Sequence, residues 1–324
     1  MSAVGLALVG AGPWGRTLGR AVARLPGVDL RWICELDPTR RSEAATVAPQ
    51  ARLTSSLDEA LSDRKVAAVL VAVDSPRHHS VGLRVLNADR HLLIEKPMAL
   101  TVADATELNT VAQERRRILA VGHLLLHHPA VRRARQLLDE GLIGQPLWME
   151  SARLAPGLPR PGDNVWWTLA PHDISLALHL FAAIPTRVTA VGGAASASGE
   201  EAVVWATLHF PDGRLAHIHA ARRATEKRRG FSIVGTERAL QFDELSVESV
   251  LHIRGRATEG AAPPDEIVRA NGPDALSAQC LEFVNGVLRA DPRVGNGSHA
   301  LAVVRILEAG ARSMRAGGAP VDIA

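Results

Sequence analysis

The 324-residue sequence predicts an α/β fold: a doubly wound parallel sheet in the N-terminal part, then an α+β domain holding a largely antiparallel open sheet. Three observations carry this prediction. Strand-like and helix-like patterns alternate up to about residue 122. A glycine-rich turn closes the first apolar run. Beyond residue 122 a strand-rich block, Arg187–Ile253, is flanked by helical segments. With about 150 residues per domain as a guide, the expected domains are 1–123 and 124–324, the C-terminal helix being able to pack back on the first.

Val4–Val9 is an apolar run of one strand's length, and Gly10-Ala-Gly12-Pro13-Trp14-Gly15 follows it directly. Arg16–Leu25 reads as a helix, and Leu30–Cys34 as a second strand ending at the acidic Glu35. G-x-G-x-x-G in this setting, with an acid about 20 residues on, is the dinucleotide fingerprint of a Rossmann domain. The first glycine permits the tight turn, the second lets backbone approach a pyrophosphate, and the third lets helix and strand pack closely. The helix start then offers free N–H groups and a positive dipole end to phosphate. Gly10, Gly12, Pro13, Trp14, Gly15 and Glu35 are therefore candidate cofactor contacts. Glu35 would accept from the adenosine ribose hydroxyls, favouring NAD over NADP, with Arg40 and Arg41 near enough in sequence to soften that preference.

The pattern continues with a helix near Thr39–Val47 and a capping box at Ser56-Leu-Asp-Glu59. The continuous apolar run Val66–Val73 suits a parallel strand covered on both faces. A helix at His78–Asn87, a strand at His91–Ile94, a helix at Thr101–Arg116 and a strand at Ile118–Gly122 complete the first domain. In the second, Pro129–Glu140 reads as a helix stopped by Gly141, and Leu147–Arg153 as a strand. A Pro/Gly-rich loop, Pro156–Gly162, precedes a helix at Ala170–Phe181. Turn signals such as Pro211-Asp-Gly213 punctuate the strand block, and helices return at Ala275–Arg289 and His299–Met314.

Composition narrows the chemistry. The net charge is +3, and no basic tract carries interleaved aromatics, which argues against nucleic acid as a partner. No stretch reaches the roughly 20 apolar residues that span a bilayer, and the N-terminus has no basic leader region; the expectation is a cytoplasmic protein. The two cysteines, Cys34 and Cys280, form neither a disulfide framework nor a zinc spacing. His127-His128 and the His217/His219 pair lack spaced carboxylate or cysteine partners, so no metal is expected. There is no tyrosine, which excludes a tyrosine acid or base, and the only lysines are Lys65, Lys96 and Lys227.

Two constellations carry candidate catalysis. Glu95-Lys96-Pro97 follows the strand His91–Ile94, so Lys96 stands at a carboxyl strand end, where ligands bind in open α/β sheets. A lysine held there polarises a substrate oxygen, or serves as a base if burial lowers its pKa; the plainer alternative is a solvated loop lysine. The second is Trp166-Trp167-Thr168-Leu-Ala-Pro171-His172-Asp173. Pro171 opens the helix, and His172 projects from its first turn as a proton acceptor. Asp173 reads equally as a complement to the helix N-terminal charge. Arg153, Arg160 and Asn164 lie on the approach to His172, and arginines there suit a diphosphate or a carboxylate.

These residues together resemble the Gfo/Idh/MocA oxidoreductases, over nearly the whole chain. The anchors are Gly10-x-Gly12-x-x-Gly15, Glu95-Lys96-Pro97, Val121-Gly122-His123, Trp167–Asp173, and the C-terminal runs Asp274–Phe283 and Val303–Ala316. The stretch from Arg153 to Asp173 is most similar to a branch of sugar-nucleotide dehydrogenases acting at C3 of UDP-N-acetylglucosaminuronate. The resemblance implies NAD or NADP as cofactor and a sugar-like small-molecule substrate, neutral or anionic. It implies a homo-oligomer (dimer or tetramer) through the C-terminal sheet. Lys96 would polarise the reacting oxygen and His172 act as acid/base. Val73, Asp74, His78, Glu95, Lys96 and Pro97 would contact cofactor, and Lys96, His123, Arg153, Arg160, Asn164, Thr168, His172 and Asp173 substrate. The sequence departs from the family pattern at Thr168, where an aspartate is usual, at His127-His128 in place of tyrosine–asparagine, and at Val73-Asp74 in place of threonine–proline. Thr168 favours one rival, a dinucleotide- or sugar-binding regulatory protein that has lost the reaction; Lys96, His172 and the glycines oppose it.

Overall fold

The computed structural model describes residues 3–157, 164–193, 201–246, 248, 250–255 and 264–323. By their contacts they form two units, Met1–Leu124 with Asp274–Val304, and Leu125–Pro273 with Arg305–Ala324.

The first unit begins with strands β1 (Val4–Val9), β2 (Val28–Cys34), β3 (Arg52–Thr54), β4 (Val66–Val71), β5 (His91–Ile94) and β6 (Leu119–Val121). Between them run helices α1 (Pro13–Ala23), α2 (Pro38–Ala44), α3 (Leu57–Ser62), α4 (His78–Asn87) and α5 (Val102–Glu114). The sheet is parallel, in the order β3-β2-β1-β4-β5-β6. β1 is buried along its whole length because both faces are covered: Leu6 and Leu8 enter one core with Leu18, Ile33 and Leu70, and Ala7 and Val9 enter the other with Val69, Ile94 and Leu108. Each large side chain so buried contributes about 1.5–3 kcal/mol, so the alternation of β1 alone ties two layers together. The strand order reverses between β1 and β4, which opens a crevice at their carboxyl ends. Ser56 caps α3 by accepting from the Glu59 N–H. The expected reciprocal bond runs through Thr54 instead, whose hydroxyl accepts from Ser56 N–H and donates to the Glu59 carboxylate.

The second unit contains α6 (Pro129–Asp139), β7 (Pro146–Leu154), α7 (Val165–Thr168), α8 (Ala170–Phe181), β8 (Arg187–Gly193), β9 (Val203–His209), β10 (Leu215–Ala221), β11 (Arg228–Gly235), β12 (Arg238–Asp243), β13 (Val250–Gly255), β14 (Glu266–Arg269) and, near the C-terminus, β15 (Val321–Asp322). Its nine strands run β14-β13-β12-β11-β7-β10-β9-β8-β15. Among the described residues only β7 and β10 pair in parallel in this sheet; the other pairings are antiparallel. Val204, Ala206 and Leu208 on β9, with Ala216, Ile218 and Ala220 on β10, are buried, and α8 packs against β7 and β10. Trp205, Thr207, His217 and His219 alternate with them on the opposite, open face.

The two C-terminal helices are α9 (Ala275–Arg289) and α10 (Gly297–Arg315). Here the structure corrects the linear 124–324 domain, because Asp274–Val304 belongs to the first unit. The reason is an uncovered layer and an open edge. α9 packs on α1 and β1, filling the first core with Cys280, Phe283 and Val284. Asn296 then serves edge strand β6 as a neighbouring strand would: its side-chain oxygen accepts from Val121 N–H at 2.6 Å and its amide donates to Val121 C=O at 3.1 Å.

Candidate active site

The glycine turn lies where β1 and β4 diverge. Gly10 has φ +90°, and a Cβ there would sit 2.5 Å from the Ala72 carbonyl. A Cβ on Gly15 would sit 2.0 Å from the Gly10 carbonyl. Both glycines are therefore demanded by the protein's own packing. Gly12 is different, since a Cβ there would meet nothing within 4 Å. Gly12 is also the N-cap of α1, with no side-chain cap and no acidic residue in the first turn. An open approach to uncapped N–H groups is the shape and charge that a pyrophosphate needs, so the residues present fit a dinucleotide.

Glu35 follows β2 as expected, with a task the spacing did not reveal. Its carboxylate accepts from Ala11 N–H at 2.7 Å and Asp37 N–H at 2.9 Å, so it holds the glycine turn in place. Each oxygen keeps acceptor capacity for a ribose hydroxyl. Arg41 folds onto the Glu35 and Leu36 carbonyls.

Lys96 emerges half-buried after β5, preceding Pro97 across a cis peptide bond. Glu95 beside it is buried. Burial pushes its carboxyl above the ordinary range, while the Trp14 indole N–H and the Lys96 charge pull it back. The carboxylate occupies the space over Gly122, where a Cβ would sit 2.8 Å from Oε2; the sequence marked this glycine only as part of the Val121-Gly122-His123 anchor, with no role of its own. His78, expected at the cofactor, is instead 1% exposed. Its ring nitrogens lie 2.7 Å from the Pro97 carbonyl and 3.0 Å from the Val73 carbonyl, and burial holds its pKa below the usual value. A neutral ring has one N–H to give, so it donates to one of these carbonyls while packed between the two strand ends. Asp74 caps the short turn after Val73 through its backbone. His123, expected at the substrate, is buried edge-on to His299, with ring centroids 5.6 Å apart.

In the second unit His172 sits half-buried in the first turn of α8, with Pro171 at the helix start. Its neighbours correct two further expectations. Arg153 and Asp173 are not poised for substrate but paired with each other: Arg153 Nε donates to Asp173 Oδ2 at 2.9 Å and Nη2 to Oδ1 at 3.4 Å, and a third donor, Nη1, reaches Glu244 at 2.8 Å. The two side chains are 4% and 1% exposed, so they are sealed from solvent. Burial pushes Asp173 up and Arg153 counters it, while the two carboxylates hold the Arg153 guanidinium above its ordinary range. Glu244, which also accepts from Arg229, had no sequence signal, because 91 residues separate it from Arg153. Asn164 is the N-cap of α7, accepting from Trp166 N–H and donating to Glu201. The Thr168 hydroxyl donates to the Asn164 carbonyl one turn back. His128 caps α6 by accepting from Ala130 N–H. Arg160 lies outside the described residues, as does most of the expected 156–162 loop. No group of three or more His, Cys, Asp or Glu among the described residues is arranged to hold a metal.

A family model described as an oxidoreductase family with an NAD-binding Rossmann fold matches residues 4–123, and the Gfo/Idh/MocA C-terminal domain model matches 131–241. The chain belongs to the Gfo/Idh/MocA oxidoreductases. It is an NAD(P)-dependent enzyme. Among relatives of this family, UDP-N-acetylglucosamine 3-dehydrogenase of Acidithiobacillus ferrooxidans is 35% identical over 255 residues, covering 77% of this chain and 79% of the relative. A solved structure of that enzyme superposes with a TM-score of 0.85 at 29% identity, covering 98% of this chain and 99% of the other. GenD2 from gentamicin A biosynthesis, solved in complex with NAD, gives a TM-score of 0.86 at 26% identity, with 100% and 97% covered. 1,5-Anhydro-D-fructose reductase of Ensifer adhaerens is 28% identical over 246 residues, 72% of this chain and 74% of the relative.

Proposed function

We propose that this Gfo/Idh/MocA enzyme interconverts a secondary alcohol and a ketone on a sugar, with a nucleotide-linked sugar as the leading substrate class. The observation that carries this reading is Lys96 at the carboxyl end of β5, on the sheet edge where the glycine turn opens. The names of the relatives support a sugar substrate, and the one at 35% identity is named for a UDP-linked amino sugar. Arg153 is already paired twice and is no partner for a substrate anion.

Bound nicotinamide supplies the hydride acceptor for oxidation and the donor for reduction. The chain's own residues handle binding and the proton. The α1 N-terminus holds the pyrophosphate, and Glu35 takes the adenosine ribose hydroxyls, which favours NAD over a 2′-phosphate carrier. Lys96 donates a hydrogen bond to the substrate oxygen and stabilises the charge that grows on it. His172 accepts the hydroxyl proton in oxidation and returns it in reduction. Thr168 brings no charge to hold an imidazolium, the one feature favouring a regulatory protein without turnover; relatives named as enzymes lend that reading no support.

Absorbance of reduced nicotinamide, followed against UDP-linked amino sugars, uronates, inositols and their keto forms, tests the proposal. Turnover on one member should fall by at least about 10²-fold in Lys96→Ala and in His172→Ala. Tight NADH binding without turnover on any member would favour the regulatory reading.

The open sheet face is our proposed homo-oligomer surface. It presents Val191, Trp205 and Trp148, all more than a third exposed, and apolar area of that kind marks association surfaces. Sedimentation should give a dimer or tetramer that Trp205→Glu dissociates. A cytoplasmic location suits the two free, buried cysteines, whose thiols burial pushes up to about 11 and about 12. No helix among the described residues is long and apolar enough to cross a membrane.

A further inference from the structure

The amino ends of β5 and β6 border a cavity of about 630 Å³. It lies at the far end of the sheet from the glycine turn. β5 is four residues long, about 13 Å of extended chain; Lys96 follows its carboxyl end, and His91 begins its amino end. The cavity walls come from the end of α5, the start of β6, the turn after α9 and the start of α10. A volume of this size is in the range that holds a small organic molecule.

The charge of the lining has one sign. Arg116 and Arg117 stand on it, and no carboxylate among the described residues does. Arg116 is exposed, and its guanidinium makes no ion pair or hydrogen bond among the described residues. It directly follows the C-cap of α5, with φ +52°, a left-handed position where glycine is the usual residue. Ending the helix therefore does not account for an arginine there. Arg117 comes no nearer than 3.9 Å to Asp89, which Arg115 shares, and its Nε is buried without a partner. His91 adds a neutral donor: its Nδ1 accepts from Ile118 N–H at 3.0 Å, so the uncharged ring keeps its proton on Nε2.

Gly297 and Ser298, at the start of α10, close the same cavity. Asn296, which precedes them, spends its side chain on β6, and the first turn of α10 carries no acidic residue. Two arginines, an imidazole N–H and the open start of a 19-residue helix thus line one space, and these are the donors and charges that a phosphate group takes. Ala112, Ala290 and Pro292 give the space an apolar side, with room beyond the anion for an organic body.

We propose that this cavity binds a small phosphorylated metabolite, a phosphate monoester held through Arg116 and Arg117, at a site separate from the dinucleotide crevice. The full chain, saturated with NADH so that the crevice is filled, is titrated in a calorimeter with glucose 6-phosphate, phenyl phosphate, inorganic phosphate and glucose. At least one monoester should bind about tenfold or more tightly than inorganic phosphate, through its organic body, and glucose should not bind. Arg116→Gln and Arg117→Gln should each weaken that monoester about tenfold, the size of one lost bond between charged groups. Ser298→Asp, which sets a carboxylate at the helix start, should abolish its binding. The NADH Kd should stay within about threefold of wild type in all three variants, which reports an intact fold. No heat with any of the phosphate compounds would overturn the inference. Monoester binding that all three variants leave unchanged would overturn it too, by placing the ligand elsewhere. Inorganic phosphate binding as tightly as both monoesters would do the same, leaving an adventitious ion only.

Discussion

Asp173→Asn is the sharpest test of what the buried pair in the second unit does. The side chains of Arg153 and Asp173 are 4% and 1% exposed, and Glu244 completes the group at 18%. With Arg229 the four side chains carry two positive and two negative charges. Asparagine keeps one acceptor for Arg153 Nε but deletes one negative charge, leaving the group with a net positive charge in a dry place. Removing one partner of a buried ion pair costs about 3–5 kcal/mol. The remaining Glu244 places this variant near the lower limit, at about 3 kcal/mol. At about 2–4 °C per kcal/mol for a unit of this size, the melting temperature should fall by about 6–12 °C. Circular dichroism melts in the same buffer measure it, with KM for the substrate measured alongside. Replacing the pair together, as Arg153→Met with Asp173→Leu, should restore part of the loss, since apolar replacements of a buried pair are often neutral. A single variant melting within 2 °C of wild type would refute the reasoning. So would a normal melt combined with a large rise in KM, which would make Arg153 a substrate ligand.

Three further outcomes follow from the geometry. Gly12→Ala should fold normally, because its Cβ meets nothing within 4 Å, yet weaken NADH binding by about tenfold or more as the pyrophosphate loses its approach; Gly15→Ala, colliding at 2.0 Å, should instead lower stability by about 2 kcal/mol or more, and calorimetry with melts separates the two. Burial, with Arg117 nearby, pushes the His91 pKa down to about 4 from 6.5, and its neutral ring accepts from Ile118 N–H. Its contribution is therefore whole above pH 6.5 and declines as pH falls toward 4, by about 3 kcal/mol for the full shift and about 2 kcal/mol once screening of a ring partly open to solvent is counted; the melting difference between wild type and His91→Gln should shrink over that window, and a difference constant with pH would contradict the assignment. Thr168→Asp places a carboxylate one turn before His172, which should move the acid limb of kcat/KM up by about one pH unit, while losing the Thr168 bond to the Asn164 carbonyl costs about 1 kcal/mol of stability. An unmoved acid limb would remove His172 from the proton path.

Local and periodic signals decided a great deal by themselves. Continuous apolar runs marked β1 and β4 because parallel strands bury both faces, and the boundaries of α4, α8, α9 and β5 agree with the sequence expectation. The glycine turn, the acid after β2 and the Glu95-Lys96-Pro97 turn after β5 were placed by the sequence because a tight turn and a strand end each fix a residue type at a particular spacing. Pairing between residues far apart was not readable, for nothing periodic records it. Only the tertiary structure paired Arg153 with Asp173 by burying them against each other, packed His78 between the ends of two strands, and gave Asn164 a place as a helix cap. Only it returned Asp274–Val304 to the first unit, where Asn296 completes the edge of β6 and α9 covers a core that five helices leave open. A charged or polar side chain looks the same in sequence whether it meets solvent, ligand or a partner, and burial chooses among these once the chain has closed on itself.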